Sequence, residues 1–147
     1  MPRIGPASAQ DLPGIQALLE RCGLPTDDLA SARPEFVVSY ASDEVIAAGA
    51  LQRFGSAALL RSVVVAPARR GSGLGQAIVS ELERVARERH INRLILLTQT
   101  AAEFFACRGY QVIDRGTVPE DVLASEEFRT MCSSSATCMA KMLPRSR

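Results

Sequence analysis

The chain has 147 residues, 47% of them hydrophobic and 22% charged, and its formal net charge is +1. That length is enough for one domain with a core of its own, and the composition is that of an ordinary globular protein. A charge so close to zero does not favour nucleic acid as a partner, and no apolar run reaches the roughly 18 residues of a membrane span. We therefore expect one domain over residues 1–147, cytoplasmic, without nucleic-acid or membrane partners, and monomeric or homodimeric.

The first third of the chain predicts short helices among strands. In chain order we expect a strand at 3–6, a helix at 11–22, a short helix at 26–34 and strands at 36–40 and 45–51. Asp11 is a suitable N-cap, and Gly23 is a left-handed stop for the first helix. Pro34 ends the second helix. The turn at 42–44 makes the two strands antiparallel neighbours.

The central stretch predicts a buried strand, a glycine-rich turn and a long helix. Residues 60–65 form an apolar run rich in β-branched residues, which is typical of a buried strand. Pro67 ends that strand because proline cannot donate to a sheet ladder. The helix follows directly, with Leu74, Ile78, Leu82 and Val85 on one face.

The remainder predicts further alternation of strands and helices. We expect a strand at 93–97, a helix at 100–108, a strand at 110–113, a partly helical stretch at 118–129 and a last strand at 137–142. A helical crossover between two buried strands makes those strands parallel neighbours. The predicted fold class is α/β (α+β), with a mixed central sheet of about six or seven strands flanked by helices.

The glycine turn, residues 70–76, is a candidate anion site, because a turn opening a helix points several backbone N–H groups at one anion. A P-loop requires lysine after its last glycine, where this chain has Gln76. A dinucleotide fingerprint requires glycine at position 76 or 78 and fails as well. The pattern (Gln/Arg)-x-x-Gly-x-(Gly/Ala) fits in register with Arg70, Gly73 and Gly75. It resembles the coenzyme A loop of the GNAT family of N-acetyltransferases; the alternative is a turn with only a structural role.

A second motif supports this resemblance. Phe104-Phe105 followed by Gly109-Tyr110 is similar to the family's signature Phe-Tyr-x-x-x-Gly-Phe. The two motifs occur in order, and the predicted elements around them follow the family's order too. The resemblance implies a GNAT-type domain that uses acetyl-CoA as co-substrate, needs no metal and transfers the acetyl group directly to an amine in a ternary complex.

A narrower likeness is to the acetyltransferases encoded with arsenic-resistance genes. It is carried by Leu60-Arg61-Ser62, the stretch 97–101, Phe104-Phe105 and the segment 128–142 with Cys132 and Ser135-Ala136. It implies an amino group on a small amino-acid-like molecule as acceptor, an arsenical among the candidates. Cys132 and Cys138 are then either thiolate ligands for trivalent arsenic or small core residues. Four scattered cysteines and one histidine otherwise predict no disulfide scaffold and no zinc site.

By position, the resemblance implies a cofactor site along the end of the central strand and the glycine turn. A backbone N–H of Val63 or Val64 would hold the developing oxyanion, and the same strand edge would pair with the pantetheine arm. Residues 95–98 are expected to diverge from residues 63–65 and leave a slot. The predicted cofactor-binding residues are Val63, Val64, Val65, Arg70, Gly71, Ser72, Gly73, Leu74, Gly75, Gln76, Thr98, Phe104 and Phe105.

The acid and the base are less determined by sequence. The family often protonates the departing thiolate with a tyrosine, and the matching position here is Phe105, which leaves water, Thr98, Tyr110 or no acid for that role. Candidate bases are Glu35, Glu103 and an ordered water. Two further glutamates are expected to be solvated on the long helix: Glu81 and Glu83.

Arg53 and Arg61 are candidate substrate-binding residues on strands that should floor the acceptor pocket. A guanidinium there suits a carboxylate, phosphinate or arsonate group; the alternative is two plain surface arginines. Two other functions stay open: an acetyltransferase of protein N-termini or lysines, and a non-catalytic acetyl-CoA-binding sensor.

Overall fold

The computed structural model describes residues 3–131 and 135–144, which are built around a seven-stranded sheet. The strands are β1 (Ile4–Pro6), β2 (Glu35–Ala41), β3 (Glu44–Phe54), β4 (Ala57–Val65), β5 (Arg93–Thr98), β6 (Gln111–Val112) and β7 (Thr137–Met142). The helices are α1 (Leu12–Arg21), α2 (Leu29–Ala32), α3 (Leu74–Glu88), α4 (Ala102–Ala106) and α5 (Glu120–Leu123), and a π-helical turn (Glu127–Met131) precedes β7. Among these described helices, none has the length and apolar character needed to cross a bilayer.

The sheet has the strand order β1-β2-β3-β4-β5-β7-β6. Strands β1 to β4 form an antiparallel meander, and α3 carries the chain across to β5, which pairs parallel with β4. The last strand, β7, inserts antiparallel between β5 and β6. The predicted mixed sheet flanked by helices is confirmed, whereas the place of β7 inside the sheet was not predicted.

Strands β4 and β5 diverge after a short parallel contact. Their pairing is limited to residues 57–59 of β4 and 93–95 of β5. Beyond that point β4 stays with β3 as far as Val65, and β5 stays with β7 as far as Thr98. Each strand therefore follows a different neighbour, and a gap opens between their carboxyl ends, as the sequence predicted.

A β-bulge lies on β4 beside this gap. The register between β3 and β4 shifts by one residue, so that Ser62 and Val63 together oppose Gly49. Ser62 has a φ of 57°, a left-handed conformation that is uncommon outside glycine. A side chain at Gly49 would place its Cβ 2.7 Å from Ile78 Cγ2 and 2.8 Å from Leu82 Cδ1. The absence of a side chain at Gly49 thus lets α3 pack directly over the bulge.

We expect Gly49→Ala to destabilise the protein by about 1–3 kcal/mol, because overpacking of a close contact forces side chains off their rotamers. Urea denaturation followed by circular dichroism measures this change. Gly5→Ala is the matched control, since a Cβ there meets nothing within 4 Å, and its effect should stay within about 0.5 kcal/mol. Equal unfolding free energies for the two variants would contradict the close packing of α3.

Two hydrophobic clusters cover the two faces of the sheet. The larger one holds α1 and α3, including Ile15, Ile78 and Leu82. The smaller one lies on the opposite face, where Phe128 packs with residues of β4, β5 and β7. Phe128 thus anchors the π-helical turn to the sheet.

Glu83 corrects the prediction of a solvated helix face. Its side chain on α3 is buried, accepts a hydrogen bond from the Tyr110 hydroxyl at 2.9 Å and pairs with Lys141 Nζ at 3.0 Å. Lys141 belongs to β7, and only the insertion of β7 beside β5 brings its ammonium to α3. A buried carboxylate with a cation and a hydroxyl donor is adequately compensated.

Candidate active site

A cleft of about 1240 Å³ opens where β4 and β5 diverge. One end of the cleft lies at the glycine turn, and we call it the glycine-turn end. The other end is bordered by Asp27, Arg61 and Glu127, and we call it the Arg61 end. Most of the predicted cofactor residues line it: Val63, Val64, Val65, Arg70, Gly71, Gly73, Leu74, Gly75, Gln76, Thr98, Phe104 and Phe105. Ser72 is not among the described lining residues, and its hydroxyl instead donates to the carbonyl oxygen of Arg69 at 2.5 Å.

The glycine turn has the geometry of an anion site. Gly71 and Gly73 adopt φ values of 81° and 87°, which strongly favour glycine. Gly73 is the N-cap of α3 and no side chain caps that helix, so its first N–H groups stay directed at the cleft. A Cβ at either glycine would enter open space. These features fit a diphosphate, which backbone amides and the helix dipole would hold together.

Cationic side chains lie at the same end of the cleft. Arg70 lines the cleft and donates from Nε to the carbonyl oxygen of Val65 at 3.3 Å. The guanidinium of Arg108 lies 4.0 Å from the Phe104 ring centroid and donates to Gln76 Oε1 at 3.2 Å. The sequence did not indicate Arg108, although it falls inside the Phe104–Tyr110 motif. Positive charge beside open helix amides suits a ligand that carries phosphates.

The inner edge of β4 provides backbone groups to the cleft. Beyond residue 59 this strand has no ladder with β5, and the bulge at Ser62 and Val63 turns the local backbone away from regular pairing. The backbone of residues 63–65 is therefore not paired with β5 and borders the cleft, which suits pairing with an extended amide chain.

The aromatic residues show which side chains face the cleft. Phe105 lines it and packs edge-to-face against Phe104 and Tyr110, with ring centroids 5.1 and 5.5 Å away. Tyr110 packs behind Phe105 and is not one of the described residues that line the cleft. Burial, and then the neighbouring Glu83 carboxylate, raise the pKa of Tyr110 well above its ordinary value. Tyr110 is thus held as a neutral structural phenol, and the structure does not place it as an acid in the cleft.

Thr98 and Glu103 line the cleft near α4. Thr98 Oγ1 accepts a hydrogen bond from the Ala101 N–H at 3.0 Å and so shapes the turn into α4. The Glu103 side chain is exposed on the first turn of that helix. Both residues therefore lie at the cleft, and Glu103 is on its solvent-exposed side.

The structure does not bring Glu35 or Arg53 into the cleft. The Glu35 carboxylate lies 2.7 Å from Arg89 Nη2 at the surface. Arg89 follows the C-terminal end of α3, roughly 20 Å along the helix from the glycine turn by the 1.5 Å rise per residue. Arg53 Nε donates to the carbonyl oxygen of Gly55 within the β3–β4 hairpin, at 3.0 Å. Glu35 as the base and Arg53 as a substrate-binding residue would both have to lie beside the gap between β4 and β5. The pairing of the strands places both side chains away from that gap.

Arg61 borders the cleft, but its guanidinium is taken up by protein groups. Nη1 and Nη2 donate to the two carboxylate oxygens of Asp28 at 2.6 Å each, and Nη1 also donates to Gln52 Oε1 at 2.9 Å. Glu127 Oε1 lies 3.6 Å from Nη2. The hydrogen bonds from Arg61 hold the pKa of Asp28 below its ordinary value. The structure therefore supports a positioning role for Arg61 rather than the predicted direct contact with substrate.

Of the two cysteines of the arsenic hypothesis, the structure describes Cys138. Cys138 lies in the core on β7, where burial raises the pKa of its thiol. Cys132 lies outside the described residues. Across residues 3–131 and 135–144, no group of histidine, cysteine and acidic side chains is placed to hold a metal ion.

An uncapped helix start beside a strand edge in a gap is the arrangement expected of an acetyl-CoA-dependent N-acetyltransferase. The profile of the Acetyltransferase (GNAT) family matches residues 10–111, and the chain belongs to this family. A curated relative, the amino-acid acetyltransferase of Mycobacterium tuberculosis, is 33% identical over 152 residues, which cover 97% of this chain and 84% of the relative.

Two solved structures describe the similarity further. Rv2747 from Mycobacterium tuberculosis, in complex with CoA and NLQ, has a TM-score of 0.82 and 29% identity, covering 97% of this chain and 100% of that one. N-acetylglutamate synthase from Neisseria gonorrhoeae, complexed with coenzyme A and N-acetyl-glutamate, has a TM-score of 0.84 and 23% identity. The match covers 99% of this chain and 36% of the synthase, so the chain spans about a third of that protein, and the likeness shows the fold alone.

Proposed function

We propose that the protein moves the acetyl group of acetyl-CoA to the amino group of a small amino-acid-like molecule. The observation that carries this proposal is one cleft that is bordered by an uncapped helix start at one end and by charged side chains at the Arg61 end. Asp28 ties the segment between α1 and α2 to β4 at that end. The amino-acid acetyltransferase at 33% identity supports the same acceptor class.

Some residues of the cleft bind the cofactor, and others stabilise the negative charge that develops during acetyl transfer. Amides of the glycine turn and the Arg70 guanidinium hold the diphosphate, while the edge of β4 pairs with the pantetheine arm. A backbone N–H of Val63 or Val64 donates to the thioester carbonyl oxygen as negative charge develops on it. The acceptor loses its ammonium proton and attacks the carbonyl carbon; the C–N bond forms, the C–S bond breaks, and the CoA thiolate takes up a proton.

A thiol-release assay with a panel of amines tests this function. The panel contains free amino acids, an amino acid with an arsenic-bearing side chain, a peptide with a free N-terminus and a lysine peptide with a blocked N-terminus. Preference for a free amino acid or the arsenical supports the proposal, and the arsenical arm also tests the narrower likeness carried by Leu60-Arg61-Ser62 and Ser135-Ala136. Preference for either peptide, or acetyl-CoA binding without thiol release from any amine, would overturn it.

We expect Phe105→Tyr to change kcat by less than about tenfold. A positioned acid can contribute ~10²-fold or more where proton transfer limits the rate, but a thiolate leaves a thioester readily at neutral pH. Phe105 packs between Phe104 and Tyr110, so the added hydroxyl can also cost some packing. Steady-state kinetics on the best acceptor of the panel, with a melting curve beside it, measures both effects. A gain in kcat of about tenfold or more would show that leaving-group protonation is limiting.

A further inference from the structure

Glu127 lies at the Arg61 end of the cleft, in a segment for which sequence patterns predicted no chemistry. It opens the π-helical turn Glu127–Met131, which Phe128 anchors in the smaller hydrophobic cluster. Its side chain lines the cleft although the residue is only 6% exposed. A carboxylate buried at the wall of a cleft has few accessible conformations. Its charge interacts strongly with a bound ligand because the local dielectric constant is low.

Arg61 forms an ion pair with that carboxylate. Its guanidinium is held by Asp28 through two hydrogen bonds of 2.6 Å and lies 3.6 Å from Glu127 Oε1. One cation between two carboxylates leaves the trio with one net negative charge at the cleft wall. Negative charge in a poorly solvated site favours a cationic ligand, and the acceptor of an N-acetyltransferase arrives as an ammonium ion.

Glu127 also differs from the other acidic residues of the cleft. Three carboxylate side chains line it within the described ranges, and those of Asp27 and Glu103 are exposed, whereas that of Glu127 is buried. Arg61 directly precedes the bulge of Ser62 and Val63 on β4. Glu127 lines the same cleft as the backbone groups of Val63 and Val64 that would hold the thioester.

We propose that Glu127 binds the acceptor ammonium and takes up its proton, with Arg61 and Asp28 as positioning residues. This inference rests on the proposed function. The ammonium donates a hydrogen bond to the Glu127 carboxylate, and one proton moves to that carboxylate, which frees the nitrogen lone pair to attack the carbonyl carbon. The C–N bond forms, the C–S electron pair leaves with sulfur, and the nitrogen gives its second proton to water as the amide forms. The thiolate takes a proton from solvent and Glu127 returns its own to water, so that one proton is released overall.

The test compares Glu127→Gln, which keeps the shape of the side chain, with the parent and with Glu127→Asp. The probe is the amine that gives the fastest thiol release with the parent protein. We expect Glu127→Gln to lower kcat/KM for that amine by about 100-fold or more, in the range that a general base supplies. Acetyl-CoA binding by calorimetry should stay within about threefold, since a loss of only ~0.7 kcal/mol corresponds to that factor. Glu127→Asp should recover part of the lost rate but stay below the parent, because it restores a carboxylate on a side chain that is one methylene shorter.

Glu120→Gln is the matched control, because it removes the same charge from an exposed position of α5, and it should behave like the parent. A Glu127→Gln variant with parental kcat/KM would overturn the inference, as would equal losses in acetyl-CoA binding and turnover, which indicate a structural role. Should Glu127→Gln fail to fold, Glu127→Asp decides: a fall in kcat with unchanged acetyl-CoA binding supports the role, and parental kcat overturns it. If the parent itself releases no thiol with any amine, the proposed function fails first, and the two failures are thus distinguishable.

Discussion

Gly73→Asp is expected to abolish acetyl-CoA binding while leaving the protein folded. Gly73 is the N-cap of α3 with a φ of 87°, and its Cβ would enter open space at the glycine-turn end of the cleft. An aspartate there places a negative charge where the diphosphate would lie and competes for the same helix amides. We expect the Kd for acetyl-CoA to rise by about 100-fold or more, a loss of ~2.7 kcal/mol or greater, measured by calorimetry.

Two controls separate charge from backbone strain in this experiment. Gly73→Asn has a similar tolerance for the left-handed conformation but no charge, so its binding should lie between those of the parent and the aspartate variant. Gly55→Asp makes the same change at a φ of 65° in the β3–β4 hairpin, where a Cβ also meets nothing within 4 Å. It should bind acetyl-CoA like the parent. Parental affinity in Gly73→Asp would show that the glycine turn is not the diphosphate site.

Asp28→Asn is expected to cost about 3–5 kcal/mol of unfolding free energy, the usual cost of removing one partner from a buried ion pair. Both carboxylate oxygens of Asp28 accept from Arg61, and the two side chains are 3% and 1% exposed. The substitution leaves the shape in place but removes the charge that compensates Arg61. Chemical denaturation measures the loss, and Asp27→Asn, one residue away and exposed, is the matched control with an expected change within about 0.5 kcal/mol.

The same pair has a defined pH dependence. Because Arg61 lowers the pKa of Asp28 below the ordinary 3.8, the folded state binds this proton less readily than the unfolded state does. The stabilisation is therefore complete above about the ordinary pKa and disappears as the pH falls through the lower, folded-state pKa. The difference in unfolding free energy between parent and Asp28→Asn should shrink on acidification below that range. A difference that is constant with pH would show that the cost comes from geometry rather than charge.

Sequence patterns alone determined the order of the elements and indicated the glycine turn as a candidate anion site. Both depend on local chemistry: alternation or helical spacing of apolar residues, a proline that cannot donate, and glycines at Gly71 and Gly73 that can adopt positive φ. These signals are complete within a few residues, so they need no knowledge of the fold. The sequence also predicted that β4 and β5 are parallel neighbours, because the handedness of a helical crossover between two strands restricts the topology.

Only the tertiary structure decided which charged residues face the cleft, because ion pairs join residues that are distant in the chain. Arg61 meets Asp28 across 33 positions, Glu35 meets Arg89 across 54, and Glu83 meets Lys141 across 58. A carboxylate or guanidinium has the same local pattern whether it is solvated, paired or catalytic. The insertion of β7 between β5 and β6 decided the burial of Glu83, and the packing of Phe128 against the sheet brought Glu127 to Arg61. The charges that line the cleft are therefore a property of the assembled sheet, where long-range pairing and desolvation select among equally plausible side chains.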